Sequence, residues 1–90
     1  MWTIIKEAKY CQNVANLLHA EQEKVNEWTN MITGSNVHPT QATRVSDDIR
    51  KLSDGTYEFY AGSYHRVFFY WSDTTQILYL TNVGHTLTKK

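Results

Sequence analysis

Ninety residues with a formal net charge of zero make one small domain, 1–90, whose core is modest but sufficient without staples. The neutral balance argues against a strong, non-specific nucleic-acid binder, and the single cysteine, Cys11, rules out an internal disulfide. With no signal peptide, no long apolar run, no Cys–His zinc spacing and no glycine-rich phosphate loop, the chain reads as soluble and cytoplasmic, with no membrane partner, metal or cofactor.

Trp2 to Ile5 is a short apolar stretch suited to an edge or second strand. From Glu7 the period becomes helical: Cys11, Ala15 and Leu18 share a stripe that Val14 and Leu17 widen. On that stripe Cys11 is expected to be a buried small hydrophobe. Val25, Trp28 and Ile32 continue the pattern. The polar segment between, residues 19–24, is either a turn or the solvated middle of one long helix. A helical hairpin over roughly 7–18 and 21–33 lets both apolar faces reach one sheet, and Gly34 is placed as its C-terminal stop. Residues 34–48 are polar and turn-rich, a loop with a short extended piece near 43–45.

Ile49 to Leu52 begins the sheet proper. Eight of the twelve aromatic residues follow between Tyr57 and Trp71, in strands bounded by Asp54-Gly55 and Gly62-Ser63. A two-residue loop at Gly62-Ser63 sets Phe59 beside Arg66, whereas a three-residue loop pairs Ala61 with His65 and Tyr60 with Arg66. The second register separates apolar from polar more cleanly. It puts Tyr57, Phe59, Val67, Phe69 and Trp71 on one face and Glu58, Tyr60, Arg66, Phe68 and Tyr70 on the other. Ile77 to Val83 alternates as a last strand, Gly84 ends it, and a short basic tail follows. The predicted fold is α+β in the order β-α-α-β-β-β: N-terminal strand, helical hairpin, then antiparallel sheet, with the helices on one sheet face.

The run KLSDGTYEFYAGSYHRVFFYW followed by ILYLTNVGHTLTKK resembles the second half of RelE/ParE-superfamily toxins of type II toxin–antitoxin systems. Lys51-Leu52, Tyr57-Glu58-Phe59, Gly62, Tyr64, Arg66-Val67-Phe68 and the last strand carry the likeness. It implies a RelE/HigB-like, ribosome-dependent mRNA endoribonuclease partnered by a cognate antitoxin, with the ribosome and mRNA as targets. In that reaction the RNA 2′-hydroxyl attacks the adjacent phosphate without a metal. A base, an acid and cations against the phosphorane charge are needed. By the resemblance, Lys51, Arg66, His85 and Tyr60 are the catalytic candidates, Tyr60 standing where the family has an arginine. Tyr64, Tyr70, Lys89 and Lys90 are the RNA-binding candidates. Arg66→Ala is expected to leave the fold intact. The plain alternatives are an Arg66–Glu58 ion pair, solvated Lys51 and His85, and tyrosines serving a protein interface. A ParE-like inhibitor of DNA gyrase, or a non-toxic phage-derived binding module of the same fold, are the rival functions.

Overall fold

The computed structural model describes residues 1–42, 48–52, 54–62 and 64–85. The extended piece expected near 43–45 and the tail lysines Lys89 and Lys90 lie outside them. Strand β1 (Thr3–Lys6) is followed by helix α1 (Ala8–Asn13), a single 3₁₀ turn (Val14–Asn16) and helix α2 (His19–Gly34). Strands β2 (Ile49–Lys51), β3 (Tyr57–Tyr60), β4 (His65–Ser72) and β5 (Ile77–His85) complete the order. The sheet runs β1-β5-β4-β3-β2. The chain thus starts at one edge, crosses on α2, and winds back from the other edge in antiparallel turns. β1 pairs with β5 in parallel, so the sheet is mixed, and β2 stands as a strand of its own.

Helix α2 turns Glu21, Val25, Trp28 and Ile32 toward the sheet, a spacing of one side chain per turn. Trp28 stacks on Phe59 with ring centroids 4.4 Å apart, meets Phe69 edge-on, and donates its indole N–H to the Pro39 carbonyl at 2.9 Å. Phe59, Val67, Phe69, Leu78 and Leu80 close the core from the strands. Each such side chain is worth about 1.5–3 kcal/mol when fully buried.

Helix α1 departs from the expected phase. Its buried residue is Tyr10, followed by Leu17, whereas Cys11 and Leu18 are exposed. The stripe that faces the core is Tyr10, Val14 and Leu17, one residue before the expected Cys11, Ala15 and Leu18 and with the same helical spacing, so the large Tyr10 ring takes the inward place and Cys11 is left outside. Leu18 then caps α2 instead of packing beneath it. Gly34 is the last helical residue as expected. The left-handed turn that follows is made by Asn36, at φ 57°.

Registers fix which side chains share a face. Tyr60 pairs with Arg66 and Phe59 with Val67, and the Ala61 N–H donates to the His65 carbonyl at 3.1 Å, as the three-residue loop requires. One bulge interrupts β5: Phe68 opposes Asn82 and Phe69 opposes Leu80, leaving Thr81 extra. The bulge lets both Leu80 and Val83 point into the core although they are three residues apart.

Candidate functional site

The face of the sheet away from α2 carries a hydrogen-bonded array centred on Glu58. Its side chain is 0 % exposed, although α2 lies on the other side. One carboxylate oxygen accepts from Arg66 Nη1 at 2.9 Å and the other from the Tyr60 hydroxyl at 2.8 Å. Arg50, directly across from Glu58 on β2, reaches the Tyr60 oxygen at 3.3 Å and the carboxylate at 3.9 Å. A charge this deep is tolerable only when paired and hydrogen-bonded, and Glu58 is both. The arrangement also restrains Arg66, whose side chain is 12 % exposed, with its guanidinium 5.1 Å from the Phe68 ring. Arg66 Nε is buried with no hydrogen-bond partner among the described residues.

Gly84 makes room for this packing. A Cβ there would come within 2.5 Å of Phe68 Cε2, so the ring lies across bare backbone. Further along the same face Tyr70 stacks on Tyr79 at 4.6 Å, and its hydroxyl donates toward Glu7 at 3.4 Å. Partial burial first, and the Glu7 carboxylate after it, push the Tyr70 phenol above its ordinary pKa.

The structure brings together some of the sequence-predicted residues and separates others. Arg66 and Tyr60 are cross-strand partners on the open face, with Tyr70 farther along it. Lys51 is exposed and pairs with Tyr57, three residues back along β3 and on the other face by alternation. His85 pairs with His65, one rung beyond the Arg66–Gly84 rung, so it too belongs to the α2 side. Tyr64 stands exposed at the hairpin tip, with its ring 6.4 Å from that of His85. The expectation that Arg66→Ala is structurally harmless does not fit, because it would strip a fully buried carboxylate of its ion-pair partner.

A second cluster occupies the hairpin end of the sheet. Glu21 takes a core position on α2 and is buried. Its Oε1 accepts from the Leu18 N–H at 2.8 Å, half of a capping box, and meets His65 Nδ1 at 2.7 Å. Burial raises the Glu21 pKa, but the Leu18 amide and His65 outweigh it and hold the carboxyl below its usual range. The His65 and His85 rings meet edge-on, centroids 5.0 Å apart. The Arg66–Glu58 ion pair, named from the sequence as the plain alternative, is present, whereas the bonds from Tyr60 and Arg50 that make Glu58 a hub, and the burial of Glu21, were not foreseen. The usable signal for Glu58 was its register: it is the diagonal neighbour of Arg66 on one face. For Glu21 it was the i, i+4, i+7, i+11 spacing with Val25, Trp28 and Ile32.

Among the described residues no helix is long and apolar enough to cross a membrane, and no three His, Cys, Asp or Glu side chains are grouped to hold a metal ion. No family model and no curated protein sequence matches the chain. Solved structures do. RelE in the archaeal RelE–RelB complex from Pyrococcus horikoshii OT3 superposes with a TM-score of 0.72 at 12% identity, covering 93% of each chain. The Escherichia coli DinJ–YafQ complex gives 0.71 at 11% identity, covering 99% of this chain and 98% of the other. A YafQ mutant from the same species gives 0.70 at 12% identity, over 98% and 97%. The α+β arrangement of this chain is the fold of RelE and YafQ.

Proposed function

We propose that this protein is the toxin of a type II toxin–antitoxin pair, a ribosome-dependent endoribonuclease of the RelE/YafQ kind. The observation that carries the reading is the end-to-end fold likeness, at TM-scores of 0.70–0.72 over 93–99% of the chain. Two of those structures are complexes, with RelB and with DinJ, which supports an antitoxin as the partner here. In this reading the RNA 2′-hydroxyl attacks the adjacent phosphate, forming the O2′–P bond and breaking P–O5′. The products are a 2′,3′-cyclic phosphate and a free 5′-hydroxyl.

The chain offers groups for each role. Arg50, whose side chain is 55 % exposed, and Arg66 are cations for the phosphorane charge, joined through Glu58 and Tyr60. His85 at the strand end exchanges the protons, being the side-chain type that titrates nearest neutral pH. Tyr64 and Tyr70 are exposed for base stacking, and Lys89 and Lys90 follow in the basic tail.

A gyrase-directed, ParE-like action is favoured by one observation: the chain carries no net positive charge, and Arg66 is already paired with Glu58. Induced expression with primer-extension mapping of a translated message separates the two. New 5′ ends inside translated codons, lost when translation is blocked, are the expected result. Growth arrest without cleavage would move the assignment to gyrase. Well-expressed, folded protein causing no arrest would leave a non-toxic binding module.

A further inference from the structure

Glu21 is an unusual residue for the position it holds. The other members of its stripe are Val25, Trp28 and Ile32, all buried against the sheet. A carboxylate among them costs desolvation energy that a leucine would not, and a buried ion pair is weak grounds for stability. Its second oxygen, Oε2, is buried and makes no well-formed hydrogen bond among the described residues, although the Tyr64 backbone N–H also favours the charged carboxylate. The hairpin is nonetheless shaped around it: a Cβ at Gly62 would lie 2.9 Å from both Glu21 Cγ and Oε2. An ionised carboxylate only accepts, so the 2.7 Å contact makes His65 Nδ1 the donor and leaves Nε2 as the nitrogen without that proton when the ring is neutral. His65 is in turn the direct cross-strand partner of His85 and touches its ring edge-on at 5.0 Å.

We propose that Glu21 and His65 are positioning residues for His85: the carboxylate fixes the tautomer and plane of His65, and His65 fixes the ring of His85 at the end of the sheet. The groups facing His85 include His65 and Tyr64 from the β4 side, with Glu21 behind His65 from α2. The proposal rests on the ribonuclease reading only for its consequence in activity. The geometric claim concerns the free protein.

The test uses the full chain and two measurements, each taken across pH. One is the imidazole ¹⁵N shifts of His65 and His85. The other is cleavage of a message in cell-free translation. In Glu21→Gln the shifts of both histidines are expected to move. Cleavage should fall about tenfold, a part of the 10²–10⁴ that acid–base catalysis contributes, with a displaced pH profile. Folded Glu21→Gln protein with unmoved His85 shifts, or with wild-type cleavage and pH profile, overturns the proposal while the ribonuclease reading stands. If the wild type does not cleave, the ribonuclease reading falls and the nitrogen shifts alone decide the positioning. If Glu21→Gln does not fold, the double variant Glu21→Leu/His65→Phe removes both partners and keeps an aromatic ring against His85. It is expected to give altered His85 shifts and reduced cleavage, and wild-type values of either would refute the positioning.

Discussion

Arg66→Met is the perturbation that tests the open-face array most directly. Glu58 is fully buried and Arg66 nearly so, and they are joined at 2.9 Å, so solvent screens little of their attraction. Removing one partner of such a pair costs about 3–5 kcal/mol, mostly as the penalty of an uncompensated buried charge. Here the Tyr60 hydroxyl still donates at 2.8 Å and Arg50 stands 3.9 Å away, which sets the expectation at the lower end, about 3 kcal/mol. For a domain of this size that is a fall in Tm of about 12–24 °C. The double variant Glu58→Leu/Arg66→Met removes both charges and is expected within about 1 kcal/mol of wild type. Urea unfolding followed by circular dichroism measures all four corners of the cycle. A single variant as stable as wild type, or a double variant whose loss equals the two single losses added, would refute the pairing as the anchor of this face. The double variant also supplies the sound toxicity test, because loss of toxicity in Arg66→Ala alone does not distinguish a missing cation from a destabilised fold.

Gly84→Ala drives a methyl to 2.5 Å from Phe68 and is expected to cost about 1–3 kcal/mol, with Phe68→Ala in the same chain recovering part of the loss in thermal melts. Trp28→Ala removes a core ring that is 1% exposed and orphans the Pro39 carbonyl, and a loss of about 3–5 kcal/mol by chemical denaturation is expected. Because the Leu18 amide and His65 hold the folded Glu21 carboxyl below the ordinary glutamate range, its contribution is present above that range and is lost as pH falls through the folded pKa. Melts between about pH 3 and pH 6 should therefore show an acid-side loss that Glu21→Gln flattens. Cys11 is exposed, so its thiol should react with a disulfide reagent in the native protein as readily as in urea.

Where the sequence was legible, the reason was a strict period with a strong consequence. In the β3–β4 hairpin a one-residue slip would have set Phe59 on the opposite face from Val67 and Phe69, so the register followed from pattern alone. The stripe of α2 was legible for the same reason from Val25 onward. Periodicity failed where the backbone changed its own period. The bulge at Thr81 reversed the alternation of β5, and no apolar residue announces it. In α1 the stripes through Tyr10 and through Cys11 have the same helical spacing, so spacing alone could not choose between them. The parallel attachment of β1 is a tertiary choice that four residues cannot encode locally. The candidate site was half legible: Arg66 and Tyr60 were found together, whereas the burial of Glu58 and Glu21 depends on rings and loops brought in from distant parts of the chain.

The register also ranks the sequence-predicted catalytic residues against one another. Arg66 pairs with Gly84, and the very next rung is His65 with His85, so the open-face cation and the strand-end histidines meet at one end of the sheet, although on opposite faces. Lys51 does not share this end. It stands three residues from Tyr60's level and two strands from β4, about 10 Å along and about 10 Å across, and is exposed on the far corner. Lys51→Ala is accordingly expected to retain growth arrest and message cleavage within about threefold, whereas His85→Gln should lose them by a hundredfold or more on the scale of about 10²–10⁴ for a general acid or base. Cleavage mapped on a translated message reads both variants in one experiment. Equal, large losses in Lys51→Ala and His85→Gln would place the reacting phosphate elsewhere, because one scissile bond cannot touch both corners of this sheet.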